Sequence, residues 1–168
     1  MLDSASIGMI AAMVVMVICS AYFSATETAF TSLNRIRLKS KADAGDRRAA
    51  RALALVDKYD NLLSTILVGN NIVNLTASSL STLFFTVGLH LQNGAVVATA
   101  VITIVVLIFG EVSPKSMAKE APEQFAMFSA PIIGTLMVIL TPVNWFFAML
   151  KKGLSKICLL YTSDAADD

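Results

Sequence analysis

The stretch Ile102–Lys119, ITIVVLIFGEVSPKSMAK, decides how the chain reads. An apolar run ends on Gly110-Glu111, and Pro114-Lys115 follows within about one helical turn. A carboxylate at the end of a hydrophobic helix is costly in hydrocarbon and is usually kept for a ligand. Glu111 is therefore the centre of the candidate site, and Pro114 predicts that no regular helix continues through that point. Broken helices at membrane depth are tolerated where freed carbonyls line a cavity, and such carbonyls can themselves hold a cation.

Composition sets the class. The chain has 168 residues, enough for one domain, with 56% hydrophobic and 15% charged residues. A mean hydropathy of +0.71 lies far outside the soluble balance. An all-α membrane protein is predicted, with three transmembrane helices over about 7–30, 62–89 and 95–111. A net charge of +1 offers no global basic field for nucleic acid. Cys19 and Cys158 lack the spacing of a metal or disulfide framework and read as small apolar fillers. The first apolar run has no basic residue before it and no cleavage site after it, so it does not read as a removable signal peptide.

The first span carries Ser20, Ser24, Thr28 and Thr31 at helical spacing, with Glu27 one position round from Thr28. Such hydroxyls let membrane helices approach closely, which suffices for Ser20 and Thr31. Ser24 and Thr28 share their stretch with an acidic residue and read as ligands. Between 34 and 58 the chain is soluble in style, and Arg35, Arg37, Lys39, Lys41, Arg47, Arg48, Arg51 and Lys58 are eight of its thirteen basic residues. They predict a surface hairpin on the cytoplasmic side, its cations near lipid phosphates.

The second span contains Gly69-Asn-Asn-Ile-Val-Asn74. Asn70, Asn71 and Asn74 either bond between helices or offer carbonyl oxygens to a hard cation, which prefers oxygen ligands. The turn over 88–94 has no Lys or Arg and belongs outside, and its His90 reads as a surface residue. Residues 122–150 are apolar enough to cross, but crossing would put Lys151, Lys152 and Lys156 opposite the basic hairpin. An interfacial belt is therefore preferred to a fourth span. This puts the N-terminus outside and the C-terminus in the cytoplasm of a plasma or inner membrane. The membrane domain is assigned to 1–156 and a disordered or truncated tail to 157–168.

The polar atoms at membrane depth all carry oxygen. There is no His/Cys cluster, phosphate loop or nucleophile-base pair in the sequence, so cargo binding is favoured over catalysis. Ser24-Ala-Thr-Glu-Thr-Ala29, Gly69-Asn-Asn-Ile-Val-Asn74 and Gly110-Glu-Val-Ser-Pro-Lys115, in this order, resemble the cyclin M/CorC family, also labelled hemolysin-C-like. The resemblance covers about residues 5–150. It implies a homodimer of three-span subunits with a belt of juxtamembrane helices, exporting Mg2+ in exchange for Na+, with cobalt resistance as an older label. It also implies an ion site on Ser24, Thr28, Asn70 and Gly110-Glu111, with Asn71 and Asn74 as other facings of the second helix. Glu27, Asn71, Pro114 and Lys115 are candidates for sodium binding or gating. Most relatives continue into paired cystathionine-β-synthase domains that bind nucleotide, and the chain stops before these. The competing expectation is a scaffold or regulator that moves nothing; a wide hemolytic pore lacks a polar lumen here.

Overall fold

The computed structural model describes residues 4–143 together with 145, 146 and 149. Every element among them is helical, as the pattern predicts. α1 is Ser4–Ser32, α2 Arg35–Asp43, α3 Arg47–Val56 and α4 Tyr59–Leu83, which continues as a π-helical turn over Phe84–Gly88. α5 (Gly94–Val105) leads through a second π-helical stretch, Val106–Val112, into α6 (Ser113–Glu120), and α7 is Pro122–Ile139. The expected tail at 157–168, Cys158, and much of the belt beyond residue 143 lie outside the described residues.

Local chemistry sets the helix starts. Asn34 Oδ1 accepts from the amides of Ile36 and Arg37 at 3.0 and 3.1 Å. Asp46 Oδ1 likewise accepts from Arg48 and Ala49 at 2.8 and 3.3 Å. Both caps satisfy amides that a helix start leaves without partners. Between them Gly45 closes the α2–α3 turn at φ 95°, a region glycine enters without steric cost.

Side-chain pairings give the helices their directions. Phe23 lies against Gly69, Ser20 bonds to Asn70, and Ser6 lies against Gly88, so α4 runs antiparallel to α1. Ser20 lies against Gly110 and Glu27 pairs with Lys115, so the helix through 94–120 runs parallel to α1.

Three helices are long and apolar enough to cross a membrane by length and composition: Ser4–Ser32, the continuous Gly94–Glu120, and Pro122–Ile139. The set contains α7, which the sequence placed in the belt. It leaves out α4, whose 25 residues would reach about 38 Å at roughly 1.5 Å per residue. The asparagines and hydroxyls of α4 dilute its apolarity.

Pro114 does not end the helix. The regular α pattern gives way to π turns over Val106–Val112, where the Ser113 amide donates to the Ile108 carbonyl five residues back. The widened turn shifts the hydrogen-bond register just before the proline, which then sits in the first turn of α6, where a missing N–H is tolerated. The expected break is thus a change of helical pitch centred on Gly110 and Glu111.

The buried core is lopsided. Leu38, Leu62, Ile133, Ala29, Ala49 and Ala126 are fully buried where the second half of α1, the α2–α3 hairpin, the start of α4 and α7 converge. Toward the other end, Ile7 (58% exposed), Ile18 (62%) and Val96 (73%) face outward. Helices of this apolarity leave such faces to lipid.

Candidate cation site

One polar layer joins the first span to the second and third motifs. Ser20 on α1 donates to Asn70 Oδ1 on α4 at 3.3 Å. A Cβ on Gly110 would lie 2.9 Å from the same Ser20 Oγ and 3.3 Å from its Cβ. Gly110 therefore lets the π-helical stretch approach α1 this closely; a larger residue would force the Ser20 side chain or the helices to shift. One turn further, a Cβ on Gly69 would fall 2.5 Å from the Phe23 ring, so α4 is also pressed onto α1 by a missing side chain.

Beside this layer is an open cavity of about 210 Å³, whose lining includes Asn74 and Ser78 of α4 and Thr103 and Glu111 of the long helix. Asn74 Oδ1 is buried and has no hydrogen-bond partner among the described residues. A buried acceptor left in that state costs about 1–3 kcal/mol. Glu111 is half-buried on the cavity wall. A carboxylate, an orphaned amide oxygen and two hydroxyls thus border an open space lined otherwise by Ile102, Val106 and Leu107.

The other expected residues divide. Ser24 Oγ is also buried and without a partner among the described residues, on a fully buried residue one turn from Ser20. It does not line the Asn74–Glu111 cavity; the antiparallel run of α1 and α4 puts Ser24 and Asn74 on opposite sides of the Ser20–Asn70 bridge. Thr28 Oγ1 donates to the Ser24 carbonyl at 3.0 Å, a bond back to its own helix that leaves its lone pairs available. Glu27 Oε2 lies 3.4 Å from Lys115 Nζ, so the acid of the first motif and the base of the third hold each other. Asn71 is exposed on the outer face of α4. Among the described residues no three His, Cys, Asp or Glu side chains are grouped to hold a metal. Any cation here must rely on neutral oxygens and one carboxylate, a set suited to weak and reversible binding.

Sequence reasoning gave Ser20 to packing alone, and the structure makes it the joint between motifs. Ser78 and Thr103 were passed over. Ser78 was findable, since it falls four residues after Asn74 on the same helical face. Glu123 was also missed: it is buried, its Oε1 accepts from the Asn34 amide at 3.4 Å, and Arg37 lies 3.6 Å away. Its position right after Pro122 is the signal, because an acid in the first turn suits the helix dipole.

Comparison with known proteins identifies the family. Residues 10–166 match the family model described as the cyclin M transmembrane N-terminal domain. The UPF0053 inner membrane protein YfjD of Escherichia coli is 41% identical over 140 residues, covering 82% of the chain and 32% of that protein. A UPF0053 protein of Haemophilus influenzae is 38% identical over 149 residues, with 86% and 35% covered. A second Haemophilus influenzae relative, named a polyamine export protein, is 25% identical over 150 residues, with 82% and 35% covered. The chain spans about a third of the length of these curated relatives. It belongs to the cyclin M transmembrane N-terminal domain family.

Proposed function

We propose that the chain is the membrane domain of a cation exporter that moves Mg2+ outward against Na+ entry, working as a homodimer with its C-terminal side in the cytoplasm. The observation that carries this reading is the buried, unpartnered Asn74 Oδ1 on a cavity wall shared with Glu111. Helix glue would have paired that oxygen; a transport site leaves it for cargo. At about 30 Å³ per water, the 210 Å³ cavity has room for a cation with most of its hydration shell. Mg2+ dehydrates reluctantly and demands near-octahedral oxygens, so in the resting state Glu111 and neutral oxygens replace only part of its waters.

Alternating access then needs an element that changes shape beside the site. The π-helical stretch Val106–Val112 contains Glu111 and ends two residues before Pro114, so a shift between π and α pitch would swing the carboxylate relative to Asn74. Ser24 and Thr28 would take up the cation on the Lys115 side of the layer. Parting of the Glu27–Lys115 pair would open that side, with Glu27 then free to accept sodium. The relative named as a polyamine exporter favours a second cargo class, an organic polycation, for the same carboxylate.

The test is Mg2+ flux from proteoliposomes holding the chain, with and without an opposing sodium gradient, repeated with spermidine as competitor. Sodium-dependent Mg2+ flux lost in Glu111→Gln is the expected result. Undiminished flux in that variant rejects the site, flux of spermidine alone selects the polycation, and neither flux nor binding returns the chain to the scaffold class.

A further inference from the structure

Along one side of the molecule, α3 and α7 leave a groove between them that the transport reading does not use. It consists of adjoining cavities of about 380, 590 and 470 Å³, which share Arg51 and Pro131 at one junction and Leu55 and Gly134 at the other. Arg48, Arg51 and Lys58 border it from the α3 side, and none of its lining residues is acidic. The three cations form no ion pair among the described residues, whereas Arg35 and Arg37 of α2 are paired with Asp57 and Glu123. The wall from α7 is apolar and outward-facing: Phe128 is 61% exposed and Val138 74%.

The geometry points to a binding site for a single anionic phospholipid, its phosphate held by Arg48 and Arg51 and an acyl chain lying along Phe128, Pro131 and Val138. Charge complementarity selects the occupant. A free phosphate would satisfy the two arginines and leave the apolar wall bare. A zwitterionic lipid would cover the wall and bring its own cation to a cluster that already has three. Arg48 and Arg51 stand three residues apart on one face of α3, the spacing at which two guanidinium groups can converge on one headgroup. Their helix is anchored along an adjoining face by the fully buried Ala49 and Ala52. The inference is independent of which cation the domain carries, because the groove lies between different helices from the Asn74–Glu111 cavity.

The experiment is native mass spectrometry of the detergent-purified chain titrated with dioleoyl phosphatidylglycerol, dioleoyl phosphatidylcholine or inorganic phosphate. Phosphatidylglycerol is expected to be retained at near-stoichiometric occupancy and the other two are not. In the Arg48→Gln/Arg51→Gln variant, retention should weaken roughly thirtyfold, from the contribution of two basic residues at an anionic headgroup. Both arginines are exposed, so the variant is expected to fold. The control is Lys39→Gln/Arg47→Gln, which removes as much charge from the same hairpin away from the groove and should leave retention unchanged. An equal loss in this control overturns the site in favour of a diffuse basic surface. Equal retention of phosphatidylcholine, retention of phosphate alone, or undiminished phosphatidylglycerol binding in the groove variant also overturns it.

Discussion

The two ends of the bundle are held by different means. At the basic end, Leu38, Leu62 and Ile133 pack among alanines from five helices, and charged pairs such as Arg37–Glu123 close the edges. This is the packing of a water-soluble core. At the other end Ile7, Ile18 and Val96 face outward, and buried Ser6 and Ser81 sit between helices. Ser81 Oγ donates to the Ala98 carbonyl at 3.3 Å, so α4 and α5 meet there through a small residue and a hydroxyl. Between the two ends lie Ser20, Asn70 and Gly110. A cation site placed at that boundary has a rigid platform on one side and lipid-supported helices, free to re-pitch, on the other.

The contrast predicts unequal responses to substitution. Leu62→Ala removes a fully buried side chain from the basic-end core and should cost about 2–5 kcal/mol in reversible unfolding followed in mixed micelles. Gly110→Ala strikes the boundary. Its new Cβ would lie 2.9 Å from Ser20 Oγ and should cost about 1–3 kcal/mol, largely regained in combination with Ser20→Gly. Full stability in the single variant would show that α1 and the π-helical stretch are not as tightly joined as described. Glu27 and Lys115 are about a third exposed, with 35% and 40% of their side chains accessible, so solvent screens the pair. A double-mutant cycle with Glu27→Gln and Lys115→Met should return no more than about 1 kcal/mol, shrinking as salt rises. Val14→Ala, at a side chain 53% exposed on the lipid side, should stay within about 0.5 kcal/mol. A loss there equal to that of Leu62→Ala would erase the distinction between the ends.

Much of this was legible because membranes impose simple rules. Hydropathy and charge placement marked a helical membrane protein with a basic surface hairpin; the caps at Asn34 and Asp46 that start its helices went unread, although they are local chemistry. Periodicity put Ser20, Ser24 and Thr28 on one stripe, but a stripe does not say which helix faces it. Asn70 lies 50 residues from Ser20 and Glu123 lies 89 from Asn34, and pairings of that reach depend on how the helices stack. The π-helical stretch was hidden for a related reason. Pro114 announces a disturbance, but whether the chain breaks or widens its pitch is decided by packing at Gly110, where Ser20 occupies the space a side chain would need. The lower apolarity of α4 relative to α7 does not by itself tell their roles apart, since the asparagines that lower it divide between a bridge to α1 at Asn70, the outer face at Asn71 and the cavity wall at Asn74.

The most direct test of the central claim is the thermal stabilisation of the purified chain by Mg2+. A ligand held only by the folded state raises stability by about 2.7 kcal/mol at a hundred times its Kd. We expect Tm to rise with Mg2+ in the parent chain, and to stay flat in Glu111→Gln and in Asn74→Ala while their Mg2+-free Tm changes little. An equal Mg2+-dependent rise in both variants would contradict the account, because the cation would then be bound away from the Asn74–Glu111 cavity.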